Sequence, residues 1–222
     1  MAINAAEEET IESLKKWWDE NGRQLVLAVV VVVGGYAGWT LWEGSQTASA
    51  DAASDLYEEV LSLAINEQGG SVSDEEATQI IALATELKAE HSSTIYARYS
   101  SLFSAQQQVM AGDLDAAQDS LRWIIENPLT GLFVKSDEGL ILTANLRLGR
   151  VLLAKGDNDG ALAVISSLAP KTFEAGYAEL QGDVYAAMGR TVEARDSYLA
   201  AQQAGSSSDG LRMKLDNLSE DT

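Results

Sequence analysis

The stretch Leu148-Gly149-Arg150-Val151-Leu152-Leu153-Ala154-Lys155-Gly156-Asp157-Asn158-Asp159-Gly160-Ala161 decides the fold, because its skeleton returns further along the chain. Thirty-three residues on, Gly182, Tyr185, Gly189 and Ala194 stand where Gly149, Leu152, Gly156 and Ala161 stood. Bulky residues follow at matching places, Ile165 and Tyr198. Forty-four residues earlier the second half of the pattern is already present as Gly112-Asp113, Ala117, Leu121 and Ile124. Each feature has a physical use. A small residue (Gly149, Gly182) lets a paired helix come close. The large residue three further on (Leu152, Tyr185) fills the interface. Glycine at 112, 156 and 189 permits the left-handed backbone that ends a helix. Alanine at 117, 161 and 194 marks a helix crossing, and the residue four beyond it packs into the next unit.

A period of 33 is close to the 34 of the tetratricopeptide repeat, a stacked helix–turn–helix unit. Working outward, residues 47–66 and 74–90 predict two more helices, separated by Gln68-Gly69-Gly70-Ser71. Leu56, Val60, Leu63 and Ala64 share one face of the first, and Ile80, Ile81, Ala84 and Leu87 one face of the second. Asn127-Pro128 and Gly131 break the pattern between repeats one and two, and the Leu132-Phe133-Val134 run is expected to be buried in that connection. Gly205 with Ser206–Ser208 marks another break. Beyond it Leu211, Leu215 and Leu218 predict a short helix capping the stack. The expected fold is all-α: one N-terminal transmembrane helix followed by a tetratricopeptide-like solenoid.

The membrane helix is read from Gln24 to Trp42, a run with no charged residue. Nineteen helical residues rise about 28 Å, close to the hydrocarbon thickness of a bilayer. Trp39 and Trp42 at one end, and Trp17 and Trp18 before the other, suit the headgroup zones. Lys15, Lys16 and Arg23 precede the span, and no lysine or arginine follows until Lys88. That asymmetry predicts a cytoplasmic tail (1–23), a span (24–43) and an outer domain (44–222). Ala48-Ser49-Ala50 resembles a signal-peptidase site, but the apolar run is long and its lead-in acidic, so an uncleaved anchor is expected. Ile11, Leu14, Trp17 and Trp18 place one apolar face on residues 9–20, a short amphipathic helix at the inner lipid surface. Gly34 and Gly38 lie on one face of the span and would let a second membrane helix approach.

The charge is −19, of which residues 43–222 carry −16 (28 acids, 12 bases). Such a domain repels nucleic acid and anionic headgroups. The absence of cysteine excludes disulfides, thiolate catalysis and thiolate metal sites. The single histidine, His91, stands at a predicted helix end and has no nucleophile motif beside it. Asp157-Asn158-Asp159-Gly160 has the look of a calcium loop, yet the twelfth position falls on Leu168 where a bidentate acid is required. Asp157 and Asp159 are expected instead to cap a helix. No cofactor and no enzymatic constellation is predicted.

The assembled pattern resembles the YfgM family, inner-membrane tetratricopeptide-like ancillary subunits of the bacterial Sec translocon. The resemblance runs the length of the chain. It is carried by residues 14–22 (Leu-Lys-Lys-Trp-Trp-Asp-Glu-Asn-Gly), Gly38-Trp39 with Trp42, Asn145-Leu146-Arg147-Leu148-Gly149-Arg150-Val151, Leu180-Gln181-Gly182-Asp183 and Met213-Lys214-Leu215-Asp216-Asn217-Leu218. It differs at Gly149, often alanine in the family, and in a short acidic tail. The resemblance implies a non-enzymatic adaptor on the SecY-SecE-SecG channel that works with a membrane-anchored periplasmic prolyl isomerase. It also implies that translocating polypeptides are passed to periplasmic chaperones. The alternative role it implies is restraint of a cytoplasmic stress response regulator through the N-terminal tail. A further alternative is an envelope scaffold unconnected with secretion. Partner contact is expected at Gly34 and Gly38 in the membrane. On a concave face formed by the first helix of each pair, it is expected at Leu102, Gln106, Leu146, Arg150, Glu179 and Asp183.

Overall fold

A computed structural model of the chain describes residues 3–65, 71–129 and 137–220. The expected burial of Leu132-Phe133-Val134 and the break at Gln68–Gly70 lie outside them. Among the described residues all regular structure is helical: α1 (Ile3–Ala64), α2 (Asp74–Glu90), α3 (Ile95–Met110), α4 (Leu114–Glu126), α5 (Glu138–Ala154), α6 (Asn158–Ser166), α7 (Glu174–Ala187), α8 (Thr191–Gln203) and α9 (Asp209–Glu220). A 3-10 turn (Lys171–Phe173) leads into α7. Contacts divide the chain into two compact units, Met1–Asp51 and Ala52–Thr222.

The first unit differs from expectation in continuity. Neither the amphipathic segment 9–20 nor the helix expected over 47–66 starts as a separate helix, since residues 9–20 and 47–64 both fall within α1. No proline lies between them to end the helix. No single helix among the described residues is long and apolar enough to cross a membrane. Lys15–Gln24 and Val26–Thr40 meet the length and composition together, as a pair bent by 41°. Val26, Leu27 and Val29 to Val33 are all at least half exposed within this unit, and Trp39 is 58% exposed.

The second unit is a stack of helical hairpins, and its repeat follows one rule of sizes. The residue sixteen beyond the small one packs onto it: Ile165 on Gly149 and Tyr198 on Gly182, while Ala105 and Leu121 hold the same spacing in the first repeat and are both buried in the central cluster. A Cβ added to Gly149 would stand 2.8 Å from Leu180 Cδ2 and 3.0 Å from Ile165 Cγ2. One added to Gly182 would collide with the Tyr198 ring. Ala105, the first-repeat member of this series, is almost fully buried, as are Ala117, Ala161 and Ala194 at the helix crossings. Interiors this close-packed leave no room for a methylene more.

The hairpin turns repeat as well. Gly156 has φ 80°, with Gly112 and Gly189 at 79° and 73°. The backbone N–H of the residue after each glycine reaches back five residues: Asp113 to Gln108, Asp157 to Leu152 and Arg190 to Tyr185, each carbonyl at 2.8–2.9 Å. Two orphan carbonyls per helix end are thereby satisfied, in the Schellman arrangement. Asp113 and Asp157 then serve the next helix. Their carboxylates accept from the N–H groups of Ala116 (3.0 Å) and Gly160 (2.9 Å). So Asp157 is a helix cap, while Asp159 lies in the first turn of α6, where the helix dipole favours an acid. Ser73 closes a reciprocal capping box with Glu76 at the start of α2.

Three apolar clusters run along the stack. Val60, Ile80, Leu87 and Ala97 join the end of α1 to α2 and α3. The central cluster holds Leu121, Ile124, Leu140, Leu148, Leu152, Leu180 and Val184. Tyr198, Ala201 and Leu211 close the far end, with Leu215 and Leu218 of α9 against them. The capping helix read from the sequence is therefore present. The gap after α4 is fastened by Arg98, only 3% exposed. Its guanidinium donates to the carbonyls of Asn127 (2.7 Å), Thr94 (2.7 Å) and Ser92 (3.1 Å) and lies 3.6 Å from the buried Asp137 carboxylate. One side chain so links the α2–α3 turn, the end of α4 and the start of α5.

Candidate functional site

An apolar opening of about 380 Å³ lies in the second unit between α3, α4 and α5. Helix α3 brings Gln106, Val109 and Met110 to it, and α5 brings Arg147, Arg150 and Val151. The helix period explains the pairing. Residues three or four apart share a face, so 106, 109 and 110 face α5 while 147, 150, 151 and 154 face back. Met110 is 62% exposed and Val109 42%, a large apolar allowance for a soluble surface. The Arg147 guanidinium reaches the Leu102 carbonyl at 3.3 Å. Burial works against its charged form, and the adjacent Arg150 charge works the same way.

The expected contact residues separate into three groups. Gln106 and Arg150 are exposed and line the opening together. Leu102 and Leu146 are buried, 8% and 9% exposed, within the central cluster. Leu146 Cδ2 packs 3.1 Å from the place a Cβ on Gly176 would take. These two are packing residues of the stack. Glu179 and Asp183 are half-buried and belong to a closed network at the other end of the domain. Lys214 of α9 pairs with Glu179 (2.8 Å) and Asp183 (2.7 Å), and the Tyr198 hydroxyl donates to Asp183 at 2.9 Å. Those carboxylates raise the Lys214 pKa against the opposing effect of burial. Burial first, then the acceptor Asp183, pushes the Tyr198 phenol up. The network fastens the cap. Gly34 and Gly38 meet no atom within 4 Å of an added Cβ, and neither does Gly35.

Sequence reasoning passed over Arg147, Val109 and Met110. The signal was present: Arg147 is three residues before Arg150, and Met110 four beyond Gln106. A second feature it missed is an aromatic cluster that includes residues of α3. Tyr57 lies with its ring centroid 5.5 Å from that of Tyr96, 6.2 Å from Tyr99 and 6.5 Å from Phe103. Among the described residues no group of three or more His, Asp or Glu side chains could hold a metal ion.

A stack of paired helices with glycine turns, a capping helix and an open groove defines a tetratricopeptide-like interaction module. The model of the tetratricopeptide repeat-like domain matches residues 15–220. Curated relatives extend the match along the whole chain. The ancillary SecYEG translocon subunit of Haemophilus influenzae is 32% identical over 98% of this chain and its own full length. That of Escherichia coli is 31% identical over 99% of this chain and its full length. The Neisseria gonorrhoeae protein of the same name is 27% identical over 98% of this chain. The chain thus belongs to the tetratricopeptide-like family whose curated members are named ancillary SecYEG translocon subunits. These names denote no enzymatic activity. No solved structure matches the chain.

Proposed function

We propose that this chain is an ancillary subunit of the Sec translocon in the bacterial inner membrane. It acts as a non-enzymatic adaptor that receives polypeptides leaving SecY-SecE-SecG. It helps pass them to periplasmic chaperones, among them a membrane-anchored prolyl isomerase. The observation that carries the reading is the correspondence of the whole chain, membrane segment included, to relatives bearing that name. The open groove lined by Gln106 and Arg150 supplies a surface on which an adaptor could hold a chain.

In this reading residues 24–43 span the membrane once and contact lipid. The tail 1–23 stays in the cytoplasm and the domain 44–222 stands in the periplasm. Support comes from the valine side chains exposed at 26–33, which water would solvate at a cost of about 25 cal/mol per Å². The basic residues on the N-terminal side alone support the orientation. The empty space beside Gly34 and Gly38 suits a lateral contact with a translocon helix.

Native purification from membranes in mild detergent tests the proposal, with partners identified by mass spectrometry. SecY, SecE and SecG are expected among them. Recovery of cell-wall or outer-membrane proteins in their place would overturn the adaptor role. Protease added to intact spheroplasts should remove the domain beyond residue 43 and spare the tail; the opposite pattern refutes the topology.

A further inference from the structure

The groove has a chemical preference that its position alone does not give. Its walls are hydrocarbon: Val109, Met110, Leu114, Leu121 and Val151. Its rim holds two guanidiniums, Arg147 and Arg150, with no acidic side chain among the lining residues. Neither arginine forms an ion pair with a carboxylate among the described residues. Six other basic side chains of the same unit do so: Arg98, Lys155, Lys171, Arg190, Arg212 and Lys214. In a chain of 34 acids and 15 bases, two neighbouring guanidiniums beside an apolar cavity, Arg147 bonded to the Leu102 carbonyl and neither held by a carboxylate among the described residues, form a site for an external carboxylate. Planar guanidinium forks match that group in geometry as well as charge.

The apolar surface continues past the cavity. Tyr99, Phe103, Gln106 and Met110 are spaced 4, 3 and 4 residues apart and so form one stripe on α3. Tyr99 is 40% exposed and, with Phe103, meets the Tyr57 ring. From Tyr99 to Met110 the helix rises about 16 Å, room for about five residues of extended chain.

We infer that this groove binds an extended client segment in which an apolar side chain is flanked by an acidic one. The apolar side chain fills the cavity between Met110 and Val151, and the carboxylate is held by Arg150 and Arg147. Aromatic or aliphatic neighbours lie along the Tyr99–Phe103 stripe. The net negative charge of the domain does not oppose this. Its far field is screened beyond about 8 Å at physiological ionic strength, whereas the guanidinium contact is made at hydrogen-bond distance. The inference rests on the adaptor reading for its choice of a polypeptide as occupant.

The test uses the full chain in phosphatidylcholine nanodiscs and fluorescein-labelled peptides that share a Leu-Phe core. One peptide is flanked by Glu and the other by Gln, and fluorescence anisotropy reads the binding. The Glu-flanked peptide is expected to bind about tenfold more tightly, a difference of about 1.4 kcal/mol. Arg150→Gln, at an exposed position, should remove most of that ratio, and adding Arg147→Gln should abolish it. Met110→Glu should weaken both peptides. Equal binding of the two peptides to the unaltered protein overturns the inference. So does a ratio that survives Arg150→Gln with an unchanged melting curve. Adding phosphatidylglycerol to the discs tests the other occupant: displacement of peptide by anionic lipid would reassign the groove. Failure of the adaptor reading is separately visible, because it removes SecY from the purified complex while leaving the peptide ratio intact.

Discussion

Gly182 and Tyr198 offer a direct test of the size rule that builds the stack. A methyl group at Gly182 would occupy space held by the Tyr198 ring. That ring cannot easily yield, being 3% exposed with its hydroxyl bonded to Asp183 at 2.9 Å. Overpacking of this kind costs about 1–3 kcal/mol, and replacing a mid-helix glycine by alanine returns about 1 kcal/mol. Gly182→Ala should therefore destabilise by up to about 2 kcal/mol. Tyr198→Leu alone should lose about 2–3 kcal/mol, from a hydrogen bond to a charged group and the space left by the ring. Combined, the two changes recreate the Ala105/Leu121 pair that the first repeat already uses. They should cost about 1 kcal/mol less than the sum of the single effects, within the range of coupling between touching residues. Urea unfolding of the full chain in detergent, followed by circular dichroism, would read this as a midpoint shift. At about 2 kcal/mol per M for the urea slope, the expected coupling is about 0.5 M. A double variant that is simply additive would refute the size rule. So would a Gly182→Ala variant that gains stability.

Other consequences are separate. Arg98→Met leaves Asp137 buried without its cation and three carbonyls without their donor, and should destabilise by about 3–5 kcal/mol. A cycle with Asp137→Asn should show positive coupling, measured by the same urea assay. Asp157→Ala removes the side chain that caps α6 and should cost about 1 kcal/mol. Asp159→Ala, which makes no cap, should cost less in thermal melts. Tyr177 gives a pH signature. Burial pushes its phenol from 10.0 up to about 12, and its hydroxyl donates to the Leu142 carbonyl at 2.9 Å. A raised pKa means that the folded state holds the proton longer than the unfolded one. The contribution is complete below pH 10 and is lost as pH climbs towards 12. Tyr177→Phe should flatten the fall of melting temperature over that interval.

The repeat was readable because its determinants are local. A glycine ending one helix, an aspartate opening the next and an alanine at the crossing lie within ten residues of one another. Turn geometry dictates each. Ala105 escaped notice because alanine at a small-residue position looks like any helical alanine. The continuity of α1 through 43–50 was not legible either. Polar residues there suggest a boundary, but none of them breaks a helix. The groove was half legible. Periodicity places residues on a helix face without saying which neighbour covers that face. Gln106 and Leu102 differ by a single turn, yet one is exposed and the other buried in the core. Glu179 and Asp183 stand at matching repeat positions, but α9 swings Lys214 onto them from 31 and 35 residues away. Such a contact has no local trace in the chain.

The adaptor account is tested most directly by a photoactivatable amino acid placed at Gln106 in cells exporting a stalled precursor. Irradiation of intact membranes should join the protein to the emerging precursor and to a subunit of the SecY-SecE-SecG channel. The same probe at Asp196, exposed on α8 and outside the groove lining, should join neither. Equal labelling from both positions, or none from Gln106, would contradict the claim that this groove is where an exported chain is received.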